Sequence, residues 1–221
     1  MMRSYRDFSG QNLGRLAALS DGIFAVAMTL LVLNIRLPTA VAPHVQQPIW
    51  AGGALSSESA LWSALATLAP QLLTYFMSFL TLGIFWAGQQ TQLNYFARSD
   101  HRLTWIHLTF LLAVVLMPFS TAVLAQYITY RLAMVIYWVN LLMLGALLFI
   151  SLKYAKHAGL LAAEATSEVA AASERRIIVY QLLYALAILL CVFNTYIAIG
   201  VLVLLQLNSV IAPRIGPLKR T

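Results

Sequence analysis

Asp21 is the only acidic residue in the stretch Gly14 to Pro38, GRLAALSDGIFAVAMTLLVLNIRLP. No charge follows it from Gly22 to Ile35. Those residues cover only about 21 Å as a helix, and a bilayer core of roughly 30 Å needs about 20 residues. A spanning helix must therefore begin near Leu16 and carry Asp21 inside the membrane or at its edge. A carboxylate there is costly unless it is paired or faces a protein interior, which makes Asp21 a functional-site candidate. Behind it, Gly22, Val26, Thr29, Leu30 and Leu33 recur at i, i+4, i+7, i+8 and i+11, one face of an α-helix. That face carries small or branched side chains, and bulky Phe24, Met28 and Leu31 point elsewhere.

Other chemistry is sparse. The chain lacks HExxH, GxSxG and a P-loop. His101, His107 and His157 are not spaced as ligands on a shared face. The single cysteine, Cys191, lies in an apolar run, which excludes a disulfide framework and reads as a buried thiol. The expectation is a protein that is not an enzyme, with no catalytic residue, no cofactor and no bound metal. A TVGYG-like filter segment is absent, and no pair of broken, Gly-rich helices recurs as in inverted-repeat transporters. The residues alone leave three readings: an ion channel, a secondary transporter using Asp21 as its proton or ion site, or a non-conducting membrane scaffold. A Val/Leu stripe by itself is ordinary packing more often than pore lining. Ser20 and Trp86 likewise have structural readings, as a bond to a neighbouring helix and as packing.

The elements that must position these residues are membrane helices. Hydrophobic residues make up 61% of the 221 and charged residues 10%, against soluble averages of about 45–50% and about 25%. The net charge of +7 is spread between apolar runs, so it reads as a topology signal and not as a nucleic-acid surface. Apolar runs place spans at approximately 15–36, 61–87, 103–124, 132–152, 177–193 and 196–213. The second is kinked or begins near Pro70, and its polar end, Gln89-Gln90-Thr91-Gln92, is expected to emerge into the cytoplasm. Lys153 to Arg176 reads as a helical connector, and Asn194-Thr195 as a tight turn between two short helices. Ala40-Val41-Ala42 mimics a signal-peptide cleavage site, but the preceding segment is too long and contains an acid, so the helix is expected to stay. Six spans put 12 of the 14 Lys and Arg on one side, leaving Arg36 and Arg131 on the other. By the positive-inside rule both termini are then cytoplasmic. The fold class is all-α, polytopic membrane, one domain over residues 1–221.

A resemblance enters with the residues around Asp21. Arg15-Leu-Ala-Ala-Leu-Ser20-Asp21 resembles the RxxxFSD signature of the transmembrane protein 175 family of endosomal and lysosomal potassium channels, with Leu19 in place of Phe. The following GIFAVAMTLLVLNIRLP is similar to that family's first helix. Trp86 and Leu111 to Thr121 resemble its second and third helices. Gln89 stands where the family has a histidine, and His107 where it has an asparagine. The resemblance implies a potassium-permeable channel in a lipid bilayer, a homotetramer of six-helix subunits with the first helix of each lining a central pore. It also implies constriction at Val26, Leu30 and Leu33, pore lining by Gly22 and Thr29, and a structural network of Arg15, Ser20, Asp21, Trp86 and His107. A single six-span unit in place of a doubled chain implies a prokaryotic member in the inner membrane.

Overall fold

The computed structural model describes residues 13–38, 48–52, 54–163, 165 and 167–211. Ala40 to Ala42 lie outside them. The described residues form eight α-helices: α1 (Leu13–Leu33), α2 (Ala54–Ala66), α3 (Ala69–Tyr95), α4 (His101–Val115), α5 (Met117–Gln126), α6 (Arg131–His157), α7 (Ser167–Leu189) and α8 (Thr195–Ile211). A 3-10 turn, Leu190–Val192, closes α7. Among the described residues five segments are long and apolar enough to cross a membrane: α1, α3, α4 with α5, α6, and Glu168–Val192. The apolar helix α8 is shorter, 17 residues, or about 25 Å.

Helix ends follow local chemistry. Asp100 caps α4, its Oδ1 accepting from the Leu103 N–H at 2.7 Å. Asn194 caps α8 in the same way through the Tyr196 N–H at 2.8 Å. α6 ends in a Schellman turn: the Leu160 N–H reaches the Ala155 carbonyl at 2.9 Å. Gly159 takes the φ of +64° that this turn requires.

Proline places two breaks. Pro70 sits in the first turn of α3, where its missing N–H costs nothing. The second span therefore starts at Ala69, eight residues after the expected Leu61, and α2 stands before it as a separate helix. In the third span Pro118 cannot donate to the Val114 carbonyl, and the helix breaks at Leu116. Oriented by its neighbours, the Asn140 amide of α6 enters this break. It donates to the Ala113 carbonyl at 3.0 Å and accepts from the Met117 N–H at 3.2 Å. Those two groups would bond to each other in an unbroken helix. A side chain thus replaces one rung of the ladder.

The bundle has two distinct ends. At one, Leu16, Leu93, Phe96, Leu103, Leu152 and Leu160 form an apolar cluster. There Lys156 meets Glu174 at 3.8 Å, and Tyr154 donates to Asp100. At the other, Asn34 Nδ2 donates to the Pro118 carbonyl at 3.1 Å, and Arg131 donates to the Val192 carbonyl at 3.0 Å. The main core lies between, with Tyr137, Phe24 and Phe110 among its largest fully buried side chains.

Candidate functional site

The first helix is two-faced. Ser20, Phe24, Ala27 and Leu31 are buried against the bundle, with the Phe24 and Phe110 rings 6.0 Å apart. Gly22 and Thr29 are exposed, and Val26, Leu30 and Leu33 are 57%, 40% and 74% exposed in the single chain. The five face residues therefore lie together on an uncovered surface, with Met28 half-buried off it. A groove of about 390 Å3 runs along Leu19, Gly22, Val26 and Leu30, bordered by Val115. A Cβ added at Gly22 would meet nothing within 4 Å. The glycine is thus not required by packing inside this chain.

The hydroxyl of Thr29 donates to the Val26 carbonyl of its own helix at 2.8 Å. With its proton turned inward, the oxygen keeps its lone pairs for the exposed side. That is the polarity suited to a cation and not to an anion.

Asp21 is held from α3. Its Oδ1 accepts from Trp86 Nε1 at 2.8 Å and from Gln90 Nε2 at 2.7 Å. Trp86 and Gln90 are four residues apart, so they project from one face of α3. The donor role of Trp86 is more than the packing role its type suggested, and Gln90 was not singled out by sequence. Its i, i+4 relation to Trp86 was the available signal. Arg15 lies exposed in the first turn of α1, six residues before Asp21.

A second chain of bonds runs beside the first, entirely buried. Ser20 Oγ donates to Gln89 Oε1 at 2.6 Å. The Gln89 amide nitrogen then faces His107 Nδ1 at 3.3 Å, and His107 Nε2 faces Ser151 Oγ at 2.9 Å. An amide nitrogen only donates, so Nδ1 is the acceptor and Nε2 carries the proton toward Ser151. Four helices, α1, α3, α4 and α6, are joined through one line. The two departures from the family pattern, Gln89 and His107, are adjacent members of it. Nothing in the sequence around Ser151 marked it as the end.

The run Gln89 to Gln92 turns Gln89 and Gln92 into the bundle, with Gln90 half-buried and Thr91 exposed. α3 continues through it to Tyr95, and Gln89 and Gln92 are buried. Gln92 Nε2 reaches the Leu148 carbonyl at 3.1 Å. A glutamine-rich turn packs within a helix bundle when neighbouring helices satisfy it.

Another buried polar cluster lies nearer the opposite end. Thr121 donates to Ser78 at 2.7 Å, Thr81 and Tyr137 bond at 3.0 Å, and Gln206 Nε2 donates to Thr81 at 2.6 Å. It locks α3, α5, α6 and α8 together behind α1. The whole arrangement presents one apolar, hydroxyl-bearing helix face on a cross-braced scaffold.

The family described as Endosomal/lysosomal potassium channel TMEM175 matches residues 15–118. That range runs from the first turn of α1 to Pro118 and contains Asp21 with its two donors and the Ser20 line as far as His107. Over this range the chain matches the TMEM175 family. A potassium channel of Streptomyces collinus is 39% identical over 115 residues, covering 52% of this chain and 48% of that one. The TMEM175 protein of Rattus norvegicus, named an endosomal/lysosomal proton channel, is 38% identical over 72 residues, 33% of this chain and 13% of that one. The matches to bacterial relatives span about half of those proteins' length. The fold likeness reaches further. The crystal structure of a lysosomal potassium-selective channel TMEM175 homolog from Chamaesiphon minutus aligns with a TM-score of 0.74 at 25% identity, covering 91% of this chain and 98% of that one. TMEM175 architecture therefore extends past Pro118 into the later helices.

Proposed function

We propose that this chain is one subunit of a potassium-permeable channel of the TMEM175 family, with the exposed face of α1 lining the pore. One observation carries the reading. Val26, Leu30 and Leu33 stand out of the fold while Phe24, Ala27 and Leu31 of the same turns are buried, within the segment that matches the family. The complete channel is a homotetramer of six-span subunits in a prokaryotic inner membrane, both termini cytoplasmic, with α8 as the sixth span. Four copies would stack rings of Val26, Leu30 and Leu33 about 6 Å and about 4.5 Å apart along the axis.

Such rings give an ion nothing in place of its hydration water, so the cost of shedding that water controls passage. Potassium sheds water more cheaply than sodium, which gives a preference without coordinating carbonyls. The outward lone pairs of Thr29 return part of the lost hydration. Asp21 has a bracing role in this scheme: its carboxylate is engaged by two donors of α3. A coupled transporter would need that group free to cycle, and the matched relatives are named channels. The test is flux into liposomes under opposed potassium and sodium gradients, with a proton gradient as a third arm. Potassium current without saturation or proton coupling is the expected result. Saturable, proton-coupled uptake would overturn the channel reading.

A further inference from the structure

A cleft of about 560 Å3 opens between α3, α6, α7 and α8. Its size is that of a small-molecule site, and its wall is mostly apolar, including Phe79, Leu148 and Tyr184. Two glutamines interrupt that wall. Gln92 Nε2 donates to the Leu148 carbonyl at 3.1 Å and Gln181 Nε2 to the Leu141 carbonyl at 3.2 Å. A backbone carbonyl only accepts, so both amide orientations are settled. Each therefore leaves its Oε1 buried without a donor. An unsatisfied acceptor in a bilayer interior is costly, and two on one cleft call for a ligand that brings hydrogen-bond donors.

The cleft also has a charged side. Arg176 lines it, its guanidinium 5.8 Å from the Tyr180 ring centre. Among the described residues no carboxylate lies within ion-pair distance of it. Arg176 belongs to the basic end of the bundle, near Lys156. Basic pockets between membrane helices suit phospholipid headgroups. The site is also built to admit Gln181. A Cβ at Gly145 would lie 1.6 Å from Gln181 Nε2, so only glycine there lets that side chain reach α6.

We propose that this cleft binds one phospholipid of the adjacent leaflet. The phosphate sits on Arg176, headgroup hydroxyls donate to the Gln92 carbonyl, and an acyl chain follows the apolar wall. Phosphatidylglycerol has this combination, an anionic phosphate with two hydroxyl donors. Phosphatidylcholine has a phosphate but no donor, and a neutralising ammonium. The proposal requires only that the chain lies in a membrane, so it stands apart from the pore assignment.

Native mass spectrometry of the intact assembly in detergent, offered equal phosphatidylglycerol and phosphatidylcholine, tests it. About tenfold preferential retention of phosphatidylglycerol is expected, the factor that corresponds to about 1.4 kcal/mol. Arg176→Gln, at an exposed residue, should remove most of that preference. Gly83→Phe should abolish retention of both lipids, because Gly83 lines the cleft and a Cβ there meets nothing within 4 Å. Gly83→Ala should retain them. Equal retention of the two lipids by the unaltered protein would overturn the proposal, as would unchanged preference in Arg176→Gln. A structure in nanodiscs with a second copy's side chains filling the cleft would do the same.

Discussion

The indole N–H of Trp86 donates to a carboxylate oxygen of Asp21 at 2.8 Å, joining residues 65 positions apart. This bond fixes the rotation of α1 against α3 and so decides which α1 face is left uncovered. The buried chain from Ser20 makes a parallel tie one residue away. Both act on α1 from α3.

Trp86→Phe keeps an aromatic side chain and removes the donor. It should lower stability in detergent by about 1–2 kcal/mol, read as a drop in thermal unfolding temperature. Asp21→Asn should likewise reduce stable assembly or open probability. In both, reversal potentials under mixed potassium and sodium should stay where they are. A well-assembled Asp21→Asn channel with altered ion preference would place the carboxylate in contact with the permeating ion.

Gln89 and His107 should behave as one unit. Gln89→Leu leaves Ser20 and His107 without their partner, costing about 1–3 kcal/mol for each stranded group. His107→Asn shortens the side chain that spans from Gln89 to Ser151, so it should also destabilise. Adding Gln89→His to His107→Asn restores the reach from the α3 side. The double variant should recover at least about 1 kcal/mol relative to the sum of the singles. Simple additivity in a thermal unfolding cycle would show that the two residues do not share a bonded line.

Leu30→Ala should widen the central ring, raise conductance and let sodium pass more freely in bilayer recordings. Leu30→Asn should wet the ring and weaken selectivity as well. Met28→Leu, off the exposed face, is the control and should leave both unchanged. If Val26, Leu30 and Leu33 can each be shortened without effect on conductance or ion preference, the pore lies elsewhere.

Asn140→Ala should strand the Ala113 carbonyl and the Met117 N–H at the break before Pro118. A loss of about 1–3 kcal/mol is expected, with faster backbone amide exchange localised to residues 113–117. Pro118→Ala in that background should repair part of the loss, since it allows the helix to close its own ladder. Exchange that stays uniform along α4 and α5 would argue against the insertion.

What the sequence determined by itself was whatever depends on distance along the chain. The period of 3.6 residues placed Gly22, Val26, Thr29, Leu30 and Leu33 on one face, and α1 leaves all five exposed. Counting apolar residues against bilayer thickness picked out the five apolar segments long enough to cross a membrane among the described residues, and Asn194 and Pro70 act where local chemistry placed them. What only the tertiary structure decided was which groups meet across it. A glutamine reads as a surface residue until something shows that α1 and α4 bring Ser20 and His107 to its two ends. Asn140 is one polar residue in a long apolar span until the proline break in another helix is set beside it. Donors and acceptors inside a bilayer have no water to fall back on, so their partners come from helix packing, and packing joins residues that no local pattern connects.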